Sequence, residues 1–166
     1  AGREKAPTVV IQSHLDMVCE KNKGVDLDFE RDPIPTAIED GWVVALGTTL
    51  GADNGIGVAA AMGAAVDPDV LHGPLELLFT VDEETGLTGA ANLDPSIVTG
   101  RILLNLDTEE DGVLCVGCAG GADTHLSLPL EREPARPGAR FRRLSVSGLR
   151  GGHSGINIHE NRGNAI

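Results

Sequence analysis

The sequence predicts an α/β layer on a mostly parallel sheet, followed by the start of a second unit, and three observations predict it. Thr8 to Gln12, Leu75 to Val81 and Arg101 to Leu106 are short continuous apolar runs, the pattern of strands buried on both faces. An Ala-rich stretch, Val58 to Val66, long enough for a helix, lies between the first two, and strands alternating with helices indicate a parallel sheet. Beyond residue 120 the pattern becomes an alternation of polar and apolar residues, as in half-exposed antiparallel strands.

The first run leads into Ser13-His14-Leu15-Asp16, and the polar stretch from Lys21 to Pro35 is expected to be a surface loop. Thr36 to Ala45 reads as a hairpin turning at Glu39-Asp40-Gly41, with Trp42-Val43-Val44 as the returning strand. Thr48 to Gly57 runs into the helix, which Asp67-Pro68 ends because the residue before proline avoids the helical region. The second apolar run ends in Asp82-Glu83-Glu84-Thr85-Gly86, and a short helix is expected from Leu87 to Asn92. The third ends in Asp107-Thr108-Glu109-Glu110. Asp123 to Leu130 and Phe141 to Ser147 are the two alternating stretches, separated by a Pro-rich, charged turn from Glu131 to Gly138. A domain boundary is therefore expected near 119–122, giving units 1–119 and 120–166, with no internal repeat.

Composition narrows the function classes. A formal charge of -12 and a pI near 4.7 exclude phosphate-backbone binding, so no nucleic-acid partner is expected. The longest apolar stretch, Ile56 to Val66, falls far short of the ~20 residues of a membrane span. No basic-then-apolar leader opens the chain, and three cysteines argue against a disulfide framework, so a cytoplasmic location is expected. The chain starts at Ala1 rather than Met, has 2% aromatic residues and no Tyr, and stops where Asn161 is expected to cap a helix that has barely begun. It reads as an internal fragment.

Ligands bind in the crevice outside the carboxyl ends of parallel strands. His14, Asp16, Glu83, Glu84 and Asp107 all lie just after an apolar run, so three strand ends present carboxylates and an imidazole to one crevice. Zinc takes these donors, and a zinc pair about 3.5–4 Å apart needs a bridging carboxylate, further ligands on each metal and a non-ligating base. The chain supplies His14, Asp53, Glu84 and Asp107 as ligands, with Glu83 as candidate base, and falls one ligand short. Taken singly, each piece has a plainer reading: a capping pair, an acidic loop at a helix N-terminus, a turn aspartate. Their order at the ends of successive buried strands favours the metal site.

SHLDMVCEKN (Ser13–Asn22), TTLGADNGIGVAAAM (Thr48–Met62), GPLELLFTVDEETGLTGA (Gly73–Ala90) and NLDTEEDG (Asn105–Gly112) resemble the aminoacyl-histidine dipeptidases, or cytosolic non-specific dipeptidases. These belong to the dinuclear-zinc family that includes carnosinases, aminoacylases and glutamate carboxypeptidases, and the flanking matches favour the dipeptidase branch. The resemblance implies a zinc-peptidase catalytic domain over 1–119 and the start of an α+β lid/dimerisation domain over 120–166. It implies that His14 and Asp107 bind one of two Zn2+ (Co2+ or Mn2+ as alternatives), Glu84 the other, and Asp53 bridges them across a cis Asp53-Asn54 peptide. Asp16 would hold His14 in the ligating tautomer. Glu83 would be general base and acid for a dizinc-bridged hydroxide attacking dipeptides of Xaa-His or broader type. His153, in Gly151-Gly152-His153-Ser154-Gly155, would be a lid histidine stabilising the oxyanion, often in the partner subunit of a homodimer. The second zinc's terminal histidine, far toward the C-terminus in the family, is absent, and His125, His153 and His159 are not candidates for it.

Three rival readings remain: an N-acyl-amino-acid deacylase on the same scaffold, an inactive fragment lacking the last zinc ligand, and a thiol module at Cys115-Val116-Gly117-Cys118. The last is disfavoured, because redox pairs of this spacing sit at a helix N-terminus and here Gly120-Gly121 and a strand are expected next. The glycines between Gly51 and Gly57 lack a phosphate-loop pattern and are expected to bring backbone close to the metals around Asp53.

Overall fold

The computed structural model describes residues 3–108, 110–118, 120, 124–151 and 157–162. Two compact units divide it, residues 1–114 and 115–166.

In the first unit a three-stranded sheet has the order β4-β1-β5, from β1 (Val9–His14), β4 (Leu75–Thr80) and β5 (Ile102–Asn105). Both pairings are parallel, Val9 lying opposite Leu75 on one side and Ile102 on the other. As the central strand, β1 is the best covered: Val10 is fully buried, with Ile11, Ser13 and His14 also inside. The strand runs further than its apolar run, carrying Ser13 and His14 within the ladder rather than after it. All three strands present their carboxyl ends at one edge, the placement expected from the apolar runs.

The hairpin forms as β2 (Thr36–Glu39) and β3 (Trp42–Ala45). Its loop residues Asp40 and Gly41 have φ of 51° and 84°, the two positive angles of the turn that matches strand twist.

Helix α1 (Ala52–Val66) packs on β1 and β4 and starts earlier than the Ala-rich stretch alone suggests. Asp53 and Asn54 are non-helical within it, so regular helix begins after them. Gly57 sets how closely this end of α1 packs. A Cβ there would overlap Asn54 Oδ1 and lie 2.8 Å from both the Leu106 carbonyl oxygen and Ser13 Oγ. Only glycine lets the helix approach the strand ends so closely. The close approach is thus both to the sheet, at Ser13 and Leu106, and to Asn54 beside Asp53. Helix α2 (Thr88–Ala91) follows β4 as expected, and a 3-10 turn, Pro95–Ile97, leads toward β5.

In the second unit the described residues differ from expectation. No strand forms within 124–151, and Leu126, Phe141 and Leu144 are largely exposed. A half-buried strand is stabilised by a ladder partner and a covered face, and these stretches have neither here. The helix expected after Asn161 falls at 163–166, outside the described residues. Asn161 itself ends a 3-10 turn, Ile158–Glu160, in the left-handed conformation, φ 51°. A short polar side chain tolerates that conformation, which closes helical turns as well as loops.

Candidate metal centre

His14 closes β1 and is 1% exposed. Its Nδ1 lies 2.9 Å from the main-chain oxygen of Asp16, so Nδ1 carries a proton and donates it to the carbonyl. Nε2 then faces outward, 3.1 Å from Asp53 Oδ1, 3.5 Å from Asp107 Oδ1 and 3.9 Å from Glu83 Oε2. Asp53 comes from the start of α1, Asp107 from just beyond β5, and Glu83 from the loop after β4, so one ring nitrogen meets three chain segments. The Asp53-Asn54 peptide is cis.

Among the described residues, two sets of donor atoms lie within 4.8 Å of one another: His14, Asp53 and Asp107 in one, and His14, Glu83 and Glu84 in the other. The expected ligands His14, Asp53, Glu84 and Asp107 and the expected base Glu83 are thus brought together. His153 lies outside the described residues.

Electrostatics fits a cation at this place. Burial pushes the Asp107 carboxyl up, and the negative charge of Asp53 adds to it. Glu84 is raised by burial, then by Asp53 and Glu83. Burial alone would lower His14, but Asp107, the Asp16 carbonyl, Asp53 and Glu83 outweigh it and raise the imidazole above its ordinary value. Carboxylates held this close favour protons, and a divalent cation satisfies them better.

Asp16 is held differently. Its two carboxylate oxygens accept from the Glu83 and Glu84 amides, each at 3.1 Å, whereas His14 Nδ1 is 3.5 Å from the nearer one. Burial would raise this carboxyl, but the two N–H donors outweigh it and hold it below the usual range.

Two features escape sequence reasoning. Asn54, 2% exposed, donates from Nδ2 to Asp107 Oδ1 at 2.8 Å. Asn105 accepts from the Asp107 amide, and its own amide donates to Gln12, whose Nε2 donates to Thr80 Oγ1. This polar row crosses all three strands beneath the site. Asn54 sits beside the candidate bridge in an apparent turn, and nothing local marks its partner.

A recess of about 340 Å³ opens beside Asp53 and Asp107, lined also by Ala52, Ile56, Leu106 and Thr108. A larger one, about 550 Å³, lies around Lys21 and the 26–32 loop and includes none of the converging residues. Cys115 and Cys118 are exposed free thiols.

Residues 10–125 match the model of peptidase family M20/M25/M40. The cytosol non-specific dipeptidase of Escherichia coli (strain K12) is 49% identical over 165 residues, 99% of this chain and 34% of that protein. Uncharacterized protein YqjE of Bacillus subtilis (strain 168) is 34% identical over 112 residues, 65% of this chain and 28% of that one. Among solved structures, aminoacylhistidine dipeptidase from Vibrio alginolyticus matches with a TM-score of 0.65 and 49% identity, over 68% of this chain and 23% of the other. The chain spans about a third of the length of these curated relatives, or less.

Proposed function

Since this chain belongs to peptidase family M20/M25/M40, we propose that it carries most of the metal centre of a dipeptidase acting on Xaa-His or a broader range of dipeptides. The observation that carries this reading is the convergence of Asp53, Asp107 and Glu83 on His14 Nε2.

His14 and Asp107 would hold one zinc, Glu84 the other, and Asp53 both, with Co2+ or Mn2+ as alternatives. Bound there, the ions would polarise the scissile carbonyl and make water a nucleophile near neutral pH. The remaining steps belong to the chain. The Asp16 carbonyl keeps the proton on Nδ1, leaving the Nε2 lone pair for a ligand. Asn54 holds one oxygen of Asp107, which orients the other. Glu83, 30% exposed at the rim, would accept the proton of the attacking water and return it to the leaving amine. His153 would donate to the developing oxyanion. The recess beside Asp53 has room for a small substrate, with Ile56 and Leu106 as its apolar side.

Residues 1–119 would be the catalytic domain and 120–166 the start of a lid/dimerisation domain, working as a homodimer. A cytoplasmic location follows the word "cytosol" in the name of the 49% identical relative. No helix among the described residues is long and apolar enough to cross a membrane.

A deacylase on the same scaffold is the alternative reading. The test is the rate of hydrolysis of Xaa-His dipeptides against N-acetylated amino acids by the zinc-loaded, full-length protein. Faster dipeptide cleavage supports the proposal, and faster deacylation overturns it.

A further inference from the structure

Asp16 contributes two different groups to two different jobs. Its main-chain oxygen accepts a hydrogen bond from His14 Nδ1 at 2.9 Å, while its carboxylate, 3.5 Å from that nitrogen, is taken up by the loop that follows β4. There Oδ1 accepts from the Glu83 amide and Oδ2 from the Glu84 amide, both at 3.1 Å. The register explains the meeting. β1 and β4 are parallel with His14 opposite Thr80, and the ladder continues with the Leu15 amide donating to the Thr80 carbonyl. Asp16 therefore arrives beside the residues that leave β4.

The far side of that loop closes on itself. The Gly86 and Leu87 amides donate to the Glu83 carbonyl, Thr88 to Asp82 and Gly89 to Val81. The near side has no such closure, and Asp16 is the acceptor for both amides there. One carboxylate spanning two successive amides fixes the peptide plane between them. The directions in which the Glu83 and Glu84 side chains leave the backbone are then fixed as well. Charge-assisted hydrogen bonds of this kind are roughly twice as strong as neutral ones.

We propose that the Asp16 carboxylate is a positioning group for Glu83 and Glu84, and that the imidazole of His14 is oriented by the Asp16 main chain instead. The functional weight of this assignment rests on the proposed roles of Glu83 as base and Glu84 as ligand. Its geometry does not, so it is tested without metal or substrate.

The experiment compares the metal-free protein with Asp16→Asn by NMR, following amide exchange at Glu83 and Glu84 and the ¹⁵N shifts of the His14 ring. An amide side chain offers one acceptor oxygen and turns an N–H2 toward the second donor. At least one of the Glu83 and Glu84 amides is expected to exchange about tenfold faster, the scale of losing one such hydrogen bond. The Nδ1-protonated form of His14 is expected to persist. Unchanged exchange at both amides overturns the clamp, and a changed tautomer overturns the assignment of imidazole orientation to the main chain. If Val10 and Ile11 also lose protection, the variant has unfolded. The deciding measurement is then made on the unsubstituted protein, as through-hydrogen-bond coupling from the two amide nitrogens to the Asp16 carboxyl carbon. Detected coupling supports the clamp, and its absence overturns it. Failure of the dipeptidase reading would leave all of these results unchanged.

Discussion

Asn54 donates a 2.8 Å hydrogen bond to Asp107 Oδ1, tying the start of α1 to the end of β5 across 53 residues. The amide is buried and its own Oδ1 has no partner among the described residues, so the bond to Asp107 is the contact there that orients it. Groups that hold a ligating carboxylate matter nearly as much as the ligand. Asn54→Ala is expected to weaken zinc binding by about 10–100-fold, measured by competition with a chelator.

Gly57 and Gly63 share helix α1 but have opposite surroundings. A Cβ at Gly57 meets the Leu106 carbonyl, Ser13 Oγ and Asn54, whereas one at Gly63 meets nothing within 4 Å. Gly57→Ala should cost about 1–3 kcal/mol through overpacking. Gly63→Ala should stabilise by about 0.5–1 kcal/mol through helix propensity and loss of unfolded-state entropy. Urea unfolding of the two variants reads both.

The proton on His14 and a metal compete for Nε2. Because the folded-state value of His14 is raised, its contribution to stability is fully present below the ordinary 6.5 and lost as pH rises through the raised value. The thermal midpoint of the metal-free protein should therefore fall as pH climbs above 6.5. With zinc present the trend should reverse, since deprotonated ligands bind more tightly. His14→Gln should remove both effects.

Asp53 reaches His14 Nε2 from the start of α1 and is proposed to serve both metals. Asp53→Ala should lose bound metal together with turnover, read as zinc content after dialysis.

The parts of this site that were legible in the sequence are those carried by local pattern. Continuous apolar runs marked three parallel strands, and the residues just after them, His14, Glu83, Glu84 and Asp107, had to lie at one edge of the sheet. The hairpin was legible because Asp40-Gly41 supplies both positive φ angles. The contacts of Asn54 with Asp107, of Gly57 with Ser13 and Leu106, and of the Asp16 carboxylate with Glu83 were not legible, because these partners lie 44 or more residues away and depend on how closely α1 and the β4 loop approach β1. The strands expected within 124–147 show the converse. Alternation records which residues suit a half-buried face, but a strand forms only where a partner ladder and a cover exist.

Glu83, 3.9 Å from His14 Nε2, is assigned the proton transfer rather than an essential ligand role, and that is the claim on which the mechanism turns. Its direct test is dipeptide turnover by the zinc-loaded, full-length protein carrying Glu83→Ala, measured beside its metal content. The account predicts turnover lower by about 10²–10⁴-fold, the scale of a lost general base, with metal content largely kept. Retention of most activity would contradict it.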